Sequence, residues 1–300
     1  MNYKIEDSNY FEAFWNMMRG QSVPFDKVSS RMASNNTFAL PKDSLKKYQE
    51  LKDKEDTFKG IVTRVAVLEG SKAFARTTDH TASWVPEGAD IPGFDGEEDF
   101  DKYEIERNKL AAVVKLSNDF IHSPSFDIES NVLGTFAKAM SSAEEMAIIT
   151  GDGNDMPYGL LHEAHGAQIG ATGNALTFDN VISLFLSVKA KYRKRGKWLM
   201  NDETALILRT LKDKDGNYLW NPSTDTILGK EVIISEFMPS EGTPILFGDL
   251  SYYWVTDRTY LHIKELHEKF ALDDMMGYLG YEFLDGMLTR RDAVKGLKLS

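Results

Sequence analysis

The chain contains no cysteine among its 300 residues. Disulfide scaffolding, thiol catalysis and every zinc site with cysteine ligands are therefore excluded. Long apolar runs are missing too: the longest lie at residues 110–114 and 181–186, whereas a membrane-spanning helix needs about 20 predominantly apolar residues. Residues 1–4 do not open the apolar stretch of a signal peptide. The sequence predicts a chain that neither spans a membrane nor carries a visible secretion signal.

Positive charge is also scarce. The chain has 35 basic and 46 acidic residues, a net charge of −11. A protein that binds nucleic acid tightly neutralises phosphates with Lys and Arg, whereas this chain repels a polyanion on average. An adhesive, phosphate-neutralising surface is therefore excluded as its main feature, although nucleic acid nearby is not. Apolar residues make up 42% of the chain, which permits a sizeable core in one large domain or two smaller ones.

The N-terminal region predicts a helix followed by an arm. Residues 9–18 have one broad apolar face, and Asn9 is a suitable cap for them. Residues 21–40 are polar and irregular, which leaves an extended arm and plain disorder as equal alternatives. A heavily charged helix is predicted at residues 43–54.

The clearest helix is predicted at residues 127–150. Its apolar side chains keep a helical period, Asp127 is a good cap, and Gly151 follows its end. Thr177 is the cap of a further helix predicted to run to Arg195, and Asn201 is the cap of another that ends near Lys212. Short strands mix with these helices without regular strand–helix–strand alternation, so the pattern predicts an α+β fold.

Residues 61–116 predict a long β-hairpin with an acidic far end. Strand-forming residues occur at both ends of this range, and residues 87–106 hold nine carboxylates and one lysine. An isolated two-stranded ribbon is at best marginally stable in water. The hairpin therefore either lies on a neighbouring subunit or folds back as a lid over the core of its own chain. The candidate contact residues on it are Trp84, Phe94 and Phe100.

Several short motifs are similar to catalytic or metal sites. The glycines of residues 151–153 follow a helix, whereas a dinucleotide fingerprint precedes one. Residues 213–217 lack the later positions of a calcium loop and predict a turn. No carboxylate–histidine set accompanies His162 and His165, and no nucleophile elbow or P-loop is present. We therefore expect no catalytic residue, no cofactor and no metal.

One basic cluster stands out in this acidic chain. It lies at the predicted C-terminus of a helix, where cations interact favourably with the helix dipole. Contact with nucleic acid and contact with an acidic surface of a neighbour, such as residues 87–106, are the alternative interpretations. The cluster comprises Lys189, Lys191, Arg193, Lys194, Arg195 and Lys197.

Taken in order, several segments resemble the major capsid proteins of tailed bacteriophages, which adopt the Hong Kong 97 fold. Each motif alone is weak, but their order and spacing over about residues 60–260 are specific. The matching segments are residues 84–88 (WVPEG), 109–117 (KLAAVVKLS), 143–147 (AEEMA), 151–153 (GDG), 157–160 (PYGL), 198–201 (WLMN), 211–213 (LKD), 216–218 (GNY), 227–229 (ILG) and 247–249 (FGD).

The resemblance implies an architecture with four parts. In such a protein the extended loop lies across an adjacent subunit, and the helix at residues 127–150 is the spine of the peripheral domain. The implied parts are an N-terminal arm at 1–45, the extended loop at 61–116, a peripheral domain at 46–60, 117–170 and 256–300, and an axial domain at 171–255.

The resemblance also implies a function. Such a subunit assembles into pentamers and hexamers of an icosahedral head that encloses double-stranded DNA without sequence-specific binding. Its other implied partners are a scaffolding protein and a portal during assembly. Its implied locations are the virion capsid and, during assembly, the host cytoplasm. Many relatives begin with a long helical scaffolding segment, whereas this chain starts close to the beginning of a mature capsid chain; we expect a separate scaffold, or a processed or trimmed form.

Two functions remain as alternatives. An encapsulin-like shell of a cellular nanocompartment has the same fold and would carry a pocket for a cargo peptide. A soluble metal-dependent hydrolase would use acidic residues and a divalent ion, and metal-dependent turnover would favour it.

Some family members crosslink their subunits through a lysine on the extended loop and an asparagine in the peripheral domain. Approximate alignment places Ile91 at the lysine position and Asp273 or Asp274 near the asparagine. We therefore predict that assembled shells dissolved in SDS migrate at the size of one chain. A ladder of covalent multimers on the gel would contradict this prediction.

Overall fold

The computed structural model describes most of the chain. The described residues are 8–24, 32–33, 37–66, 72–76, 84–87, 90, 100–104, 108–123, 125–212, 216–218, 220–221, 224–257 and 261–299.

Helices and strands mix along the described part of the chain, which confirms the predicted α+β class. The helices are α1 (Ser8–Met18), α2 (Lys42–Glu55), α3 (Asn118–His122), α4 (Ile128–Thr150), α5 (Phe178–Ser187), α6 (Ala190–Arg193) and α7 (Asp202–Thr210). The strands are β1 (Met32–Ala33), β2 (Thr37–Ala39), β3 (Thr63–Ala66), β4 (Lys72–Arg76), β5 (Phe100–Glu104), β6 (Asn108–Ser117), β7 (Gln168–Gly173), β8 (Lys197–Met200), β9 (Trp220–Asn221), β10 (Thr226–Ile227), β11 (Lys230–Ile234), β12 (Ile245–Gly248), β13 (Tyr253–Asp257), β14 (His262–Leu266), β15 (Met275–Leu288) and β16 (Val294–Leu299).

Side-chain caps fix where three of these helices begin. The Asp127 carboxylate accepts a hydrogen bond from the backbone N–H of Ser130 at 3.1 Å, and hydrogen bonds from Ser130 lower the pKa of Asp127. Thr177 and Asn201 accept from backbone N–H groups three residues on, at 3.3 and 2.8 Å. These three predicted caps are confirmed because each oxygen satisfies a donor that has no partner inside its helix.

Two details of the helices differ from the prediction. Asn9 lies inside α1 rather than before it, because the helix already includes Ser8. The helix predicted from residue 177 to residue 195 is divided: α5 ends at Ser187, Val188 is extended, and α6 starts at Ala190.

One compact unit comprises the described residues of Met1–Lys59, Asn108–Ala147 and Arg258–Leu284. In it β14 pairs with β2 and with β15, and β6 pairs with β15 over ten residues, from Ser117 opposite Met275 to Asn108 opposite Leu284. The buried core of this unit includes residues of α1 and α4 and of the strands β14 and β15. Gly280 is needed here, because a Cβ at this position would lie 2.8 Å from the Phe136 ring.

A group of charged side chains is buried within this unit. Lys52 of α2 donates to Glu282 of β15 at 2.6 Å and lies 3.0 Å from Glu144 of α4. Tyr48, one turn earlier, donates to Glu282 at 3.1 Å. Burial alone would lower the pKa of Lys52, but the carboxylates of Glu144 and Glu282 outweigh it and raise the pKa. Lys52 is therefore a permanent cation that ties two helices and a strand together.

A second compact unit comprises the described residues of Gly60–Arg107, Ile148–Asp257 and Asp285–Ser300. Seven strands form its mixed sheet in the order β7-β16-β12-β8-β11-β10-β9. Residues of α5, α6 and α7 pack on this sheet around the fully buried Trp198 and Phe247, whose rings lie 4.2 Å apart. In the same unit β3 pairs in parallel with β13.

The helices in the described part of the chain were also compared with the requirements of a bilayer. None of them is both long enough and apolar enough to cross one.

The buried cluster generates a stability prediction. Replacing Lys52 by Met should lower the free energy of unfolding by about 3–5 kcal/mol, because two carboxylates are then left buried without their cation. Lys54→Met is the matched control: Lys54 is exposed on the same helix, so its loss should change stability by about 0.5 kcal/mol or less. Denaturant unfolding of both variants measures the difference, and equal midpoints would show that the cluster contributes nothing.

Candidate functional site

The candidate site is the hairpin between β3 and β6. Strands β4 and β5 pair antiparallel, with Lys72 opposite Glu104 and Arg76 opposite Phe100. An antiparallel hairpin is therefore present inside the predicted range 61–116, but it is shorter than predicted, because β3 and β6 at the ends of that range pair with β13 and β15 instead. The three residues 105–107 separate β5 from β6 in the chain.

The β4–β5 pair is a sheet of its own. In the described part of the chain these strands pair with each other and join neither of the larger sheets. Each strand therefore has one edge whose backbone N–H and C=O groups lack a strand partner within those residues. A two-stranded ribbon without a third strand or a packed face is marginal in water. A ribbon of this kind needs a further surface to pack against if it is to be stable.

Trp84 lies between these two strands in the sequence and is completely exposed, at 102% of its reference area. Three other tryptophans, Trp15, Trp198 and Trp220, are buried. A fully exposed tryptophan is costly in an isolated chain, and tryptophan is enriched in the cores of protein interfaces. The exposure of Trp84 is therefore consistent with its prediction as a contact residue.

The other two predicted contact residues are less informative. Phe94 lies outside the described residues. Phe100 is the first residue of β5, opposite Arg76, and nothing is described of its side chain. The structure thus places Trp84 and the backbone of Phe100, and it does not show the three aromatic residues together.

Sequence reasoning missed a second exposed apolar surface, which lies on α7. The side chains of Ala205 and Leu208 face the core, whereas Leu206 is 64% exposed and Ile207 is also exposed. The segment at residues 204–208 (TALIL) carries apolar residues all around the helix. A helix of this kind is normally buried on every side, so this pattern was the available signal for a further contact.

The predicted basic cluster also lies at the surface of its unit. Lys189 pairs with Asp292 at 2.7 Å, and Arg195 lies 3.8 Å from Asp249. Lys197 pairs with Glu231. We call residues 189–197 the basic surface.

The motifs considered for chemistry have structural explanations. His162 accepts hydrogen bonds through Nδ1 from the backbone N–H groups of Ala164 and His165, at 3.2 and 3.0 Å. The rings of His162, His165 and Tyr158 pack together, with centroids 4.3–5.2 Å apart. Within the described ranges no group of three or more His, Cys, Asp or Glu side chains has an arrangement that could hold a metal ion.

The glycines after α4 are required by geometry. Gly153 has φ +78°, and a Cβ there would lie 2.0 Å from the Tyr158 ring. At the predicted turn of residues 213–217, the flanking residues Lys212 and Tyr218 are bridged antiparallel. Both motifs therefore end or reverse the chain.

Several solved structures of capsids and related particles are similar to this chain. The chain is 26% identical to the capsid of the native GTA particle, with 81% of this chain and 90% of that chain covered and a TM-score of 0.65. For a chain from Microbacterium phage Oxtober96 the identity is 17%, the coverage 82% and 91%, and the TM-score 0.61. For the virus-like particle from Pyrococcus furiosus the values are 12%, 86% and 99%, and 0.54. No curated protein sequence matches the chain.

The family comparison covers most of the chain. The sequence model of the phage capsid family matches residues 36–299. This range contains the ribbon, the long helix α4, the basic surface and nearly all of the second compact unit, and it leaves out α1 of the first. The chain belongs to the phage capsid family: it is a major capsid protein with the Hong Kong 97 fold, a building block of an icosahedral shell.

Proposed function

We propose that copies of this chain assemble into the pentamers and hexamers of a tailed-phage head around double-stranded DNA, and that the chain works without catalytic chemistry. The single observation that carries the proposal is the β4–β5 ribbon, which pairs with itself alone among the described strands while Trp84 is fully exposed.

In the proposed shell the ribbon lies on an adjacent copy. Burying the exposed Trp84 contributes about 2–3 kcal/mol if its whole apolar surface leaves water. Such a contact is modest by itself. Closed symmetry repeats it around every ring, so many weak contacts together stabilise a shell.

The exposed residues of α7 support a second contact between copies. Leu206 and Ile207 lie on a helix whose opposite side is fixed to the core by Ala205 and Leu208. A rigid helix that presents apolar side chains is suited to packing against an identical neighbour. We place this helix in the axial domain, where subunits of one pentamer or hexamer meet.

The remaining assignments follow the same architecture. The N-terminal arm, the extended loop, the peripheral domain and the axial domain are assigned to residues 1–45, 61–116, 46–60 with 117–170 and 256–300, and 171–255, respectively. A scaffolding protein and a portal act as partners during assembly in the host cytoplasm. The net charge of −11 suits a container that holds DNA without adhering to it.

A cellular compartment shell is the second candidate. This chain shares its fold with the virus-like particle from Pyrococcus furiosus, at a TM-score of 0.54, so the fold also suits a shell that is not a phage head. Electron microscopy of shells purified from the native source separates the two functions: packaged double-stranded DNA supports a phage head, and an enclosed protein cargo supports a compartment.

Deleting residues 87–101 tests the role of the ribbon in assembly. We expect the shortened chain to fold, with the same melting temperature as the full chain, and to fail to form shells, tubes or capsomer rings. Electron microscopy and sedimentation of both chains measure the outcome. Normal shells from the deletion variant would reject the assigned role of this loop.

Trp84 allows assembly to be followed by fluorescence. Emission of the full chain should shift to shorter wavelength on assembly and become less accessible to acrylamide, because Trp84 leaves water. Trp84→Phe should unfold at the same denaturant concentration, since Trp84 is fully exposed in the single chain. Its spectrum should change much less on assembly. The same blue shift in the variant would mean that Trp84 stays exposed in the shell.

A further inference from the structure

We infer that the basic surface at residues 189–197 is the receptor for the acidic segment 87–106 of a second copy of this chain. The inference rests on the proposed assembly and deepens it, because it names the surface on which a neighbouring copy's ribbon docks.

The basic surface concentrates positive charge in a short segment of the chain. Residues 189–197 contain six basic residues and no acidic residue. Asp292, Asp249 and Glu231 offset three of the six charges through the pairs with Lys189, Arg195 and Lys197. This concentration of positive charge stands out in a chain whose net charge is −11.

Two neighbouring cations, Lys230 and Arg290, add positive charge beside the basic surface and form hydrogen bonds to it. Lys230 donates to the backbone carbonyl of Lys194 at 2.9 Å. Arg290 donates to the Tyr192 hydroxyl at 3.2 Å, and the buried ring of Tyr192 anchors α6 in the core. The cations are therefore arranged on a fixed part of the unit, as a docking surface requires.

The side chains best placed for a partner point to solvent. Lys191 and Lys194 are exposed, and the Arg195 side chain is 73% exposed. Charged side chains of the basic surface are thus accessible to solvent.

The acidic segment is the complementary surface of the same chain. Residues 87–106 hold nine carboxylates and one lysine, a net charge of −8. Its described residues Glu87 and Asp90 are exposed, close in sequence to the exposed Trp84. An apolar anchor bordered by charge is the usual composition of a specific interface.

Two different surfaces of one chain that attract each other produce a head-to-tail contact. A contact of this kind repeats from copy to copy and closes into a ring when the rotation permits. Like charges would also keep the ribbons of two free copies apart until each reaches a basic surface. The net charge of −11 favours another copy over DNA as the occupant, because the chain repels a polyanion on average.

Charge reversal tests the inference. In one variant, Lys191, Lys194 and Arg195 are replaced by Glu. In the other, the six carboxylates between residues 87 and 99 are replaced by Lys, which makes the segment's net charge +4 by the same count. Each variant alone should assemble about tenfold more slowly or worse, since electrostatic steering changes association rates by about 10–10³-fold.

Mixing the two variants gives the decisive result. In an equimolar mixture each ribbon meets a surface of opposite charge when the two variants alternate, which a ring of six permits and a ring of five does not. We therefore expect light scattering and electron microscopy to show hexamer rings or tubes in the mixture, and closed shells from one chain that carries both sets of changes. The matched control reverses Lys138 and Lys298, which are exposed elsewhere, and should assemble normally. Melting temperatures establish that every variant is folded.

The salt dependence of assembly can be measured on the unchanged chain, so that misfolding of a variant cannot explain the result. Assembly of the unchanged chain should slow when ionic strength rises from about 0.05 M to about 0.5 M, because the screening length shortens severalfold. An assembly rate independent of salt would contradict the inference.

The other outcomes have distinct meanings. If the unchanged chain forms no shells, the proposed function itself fails. If the unchanged chain forms shells and both charge-reversal variants assemble as fast as it does, only the inferred docking surface is wrong. A surface variant that assembles normally but no longer retains DNA would assign the basic surface to DNA instead. Rescue by both sets of changes in one chain, without hexamer rings or tubes in the mixture, would place the ribbon on its own subunit and overturn the inference.

Discussion

The proposed assembly of this protein depends on a ribbon of two strands that cannot complete its own hydrogen bonding. A strand pair without a third strand leaves two backbone edges open, and here the strands β4 and β5 join no other described strand. Water can satisfy these edges in a single subunit, but it offers no packing for Trp84. In the proposed shell a neighbouring copy supplies that packing, so part of the stability of each subunit would reside in its neighbours.

Outside the ribbon, buried cores and ion pairs within the chain stabilise the fold. Each compact unit has its own buried core, and in the first unit Lys52 holds α2 to Glu144 and Glu282. Such a buried ion pair contributes less to net stability than to fixing one arrangement, because the charges repay their desolvation only in the right geometry. A fixed arrangement matters to a shell subunit, since errors in the placement of its contact surfaces would repeat in every copy.

The sequence predicted the features that have a local cause. Asp127, Thr177 and Asn201 were identified as caps because a cap is made within three residues, and the family was identified from the order of its motifs. Strand β15, with 14 residues the longest, was missed. Its inward positions carry Gly280, Glu282 and Gly286 in place of large apolar side chains, so the alternation disappears from the sequence. The glycine makes room for Phe136, and the glutamate is paired with Lys52; both causes lie far away in the chain.

The candidate site was predictable only in part. The exposure of Trp84 follows from its place in an acidic, glycine-rich segment, whereas the exposed side of α7 could not be separated from its buried side, because both carry apolar residues. The sequence also left three interpretations of the basic cluster, and its internal ion pairs depend on Asp249 and Asp292, which are distant in sequence from it.

The long pairing of β6 with β15 has a mechanical consequence. The chain leaves the ribbon and enters β6 at Asn108, where ten residue pairs connect it to β15. A pull along the axis of β6 therefore loads all of these hydrogen bonds in shear at once, instead of opening them one after another. A subunit built in this way resists a pull along β6 through its backbone rather than through contacts of single side chains.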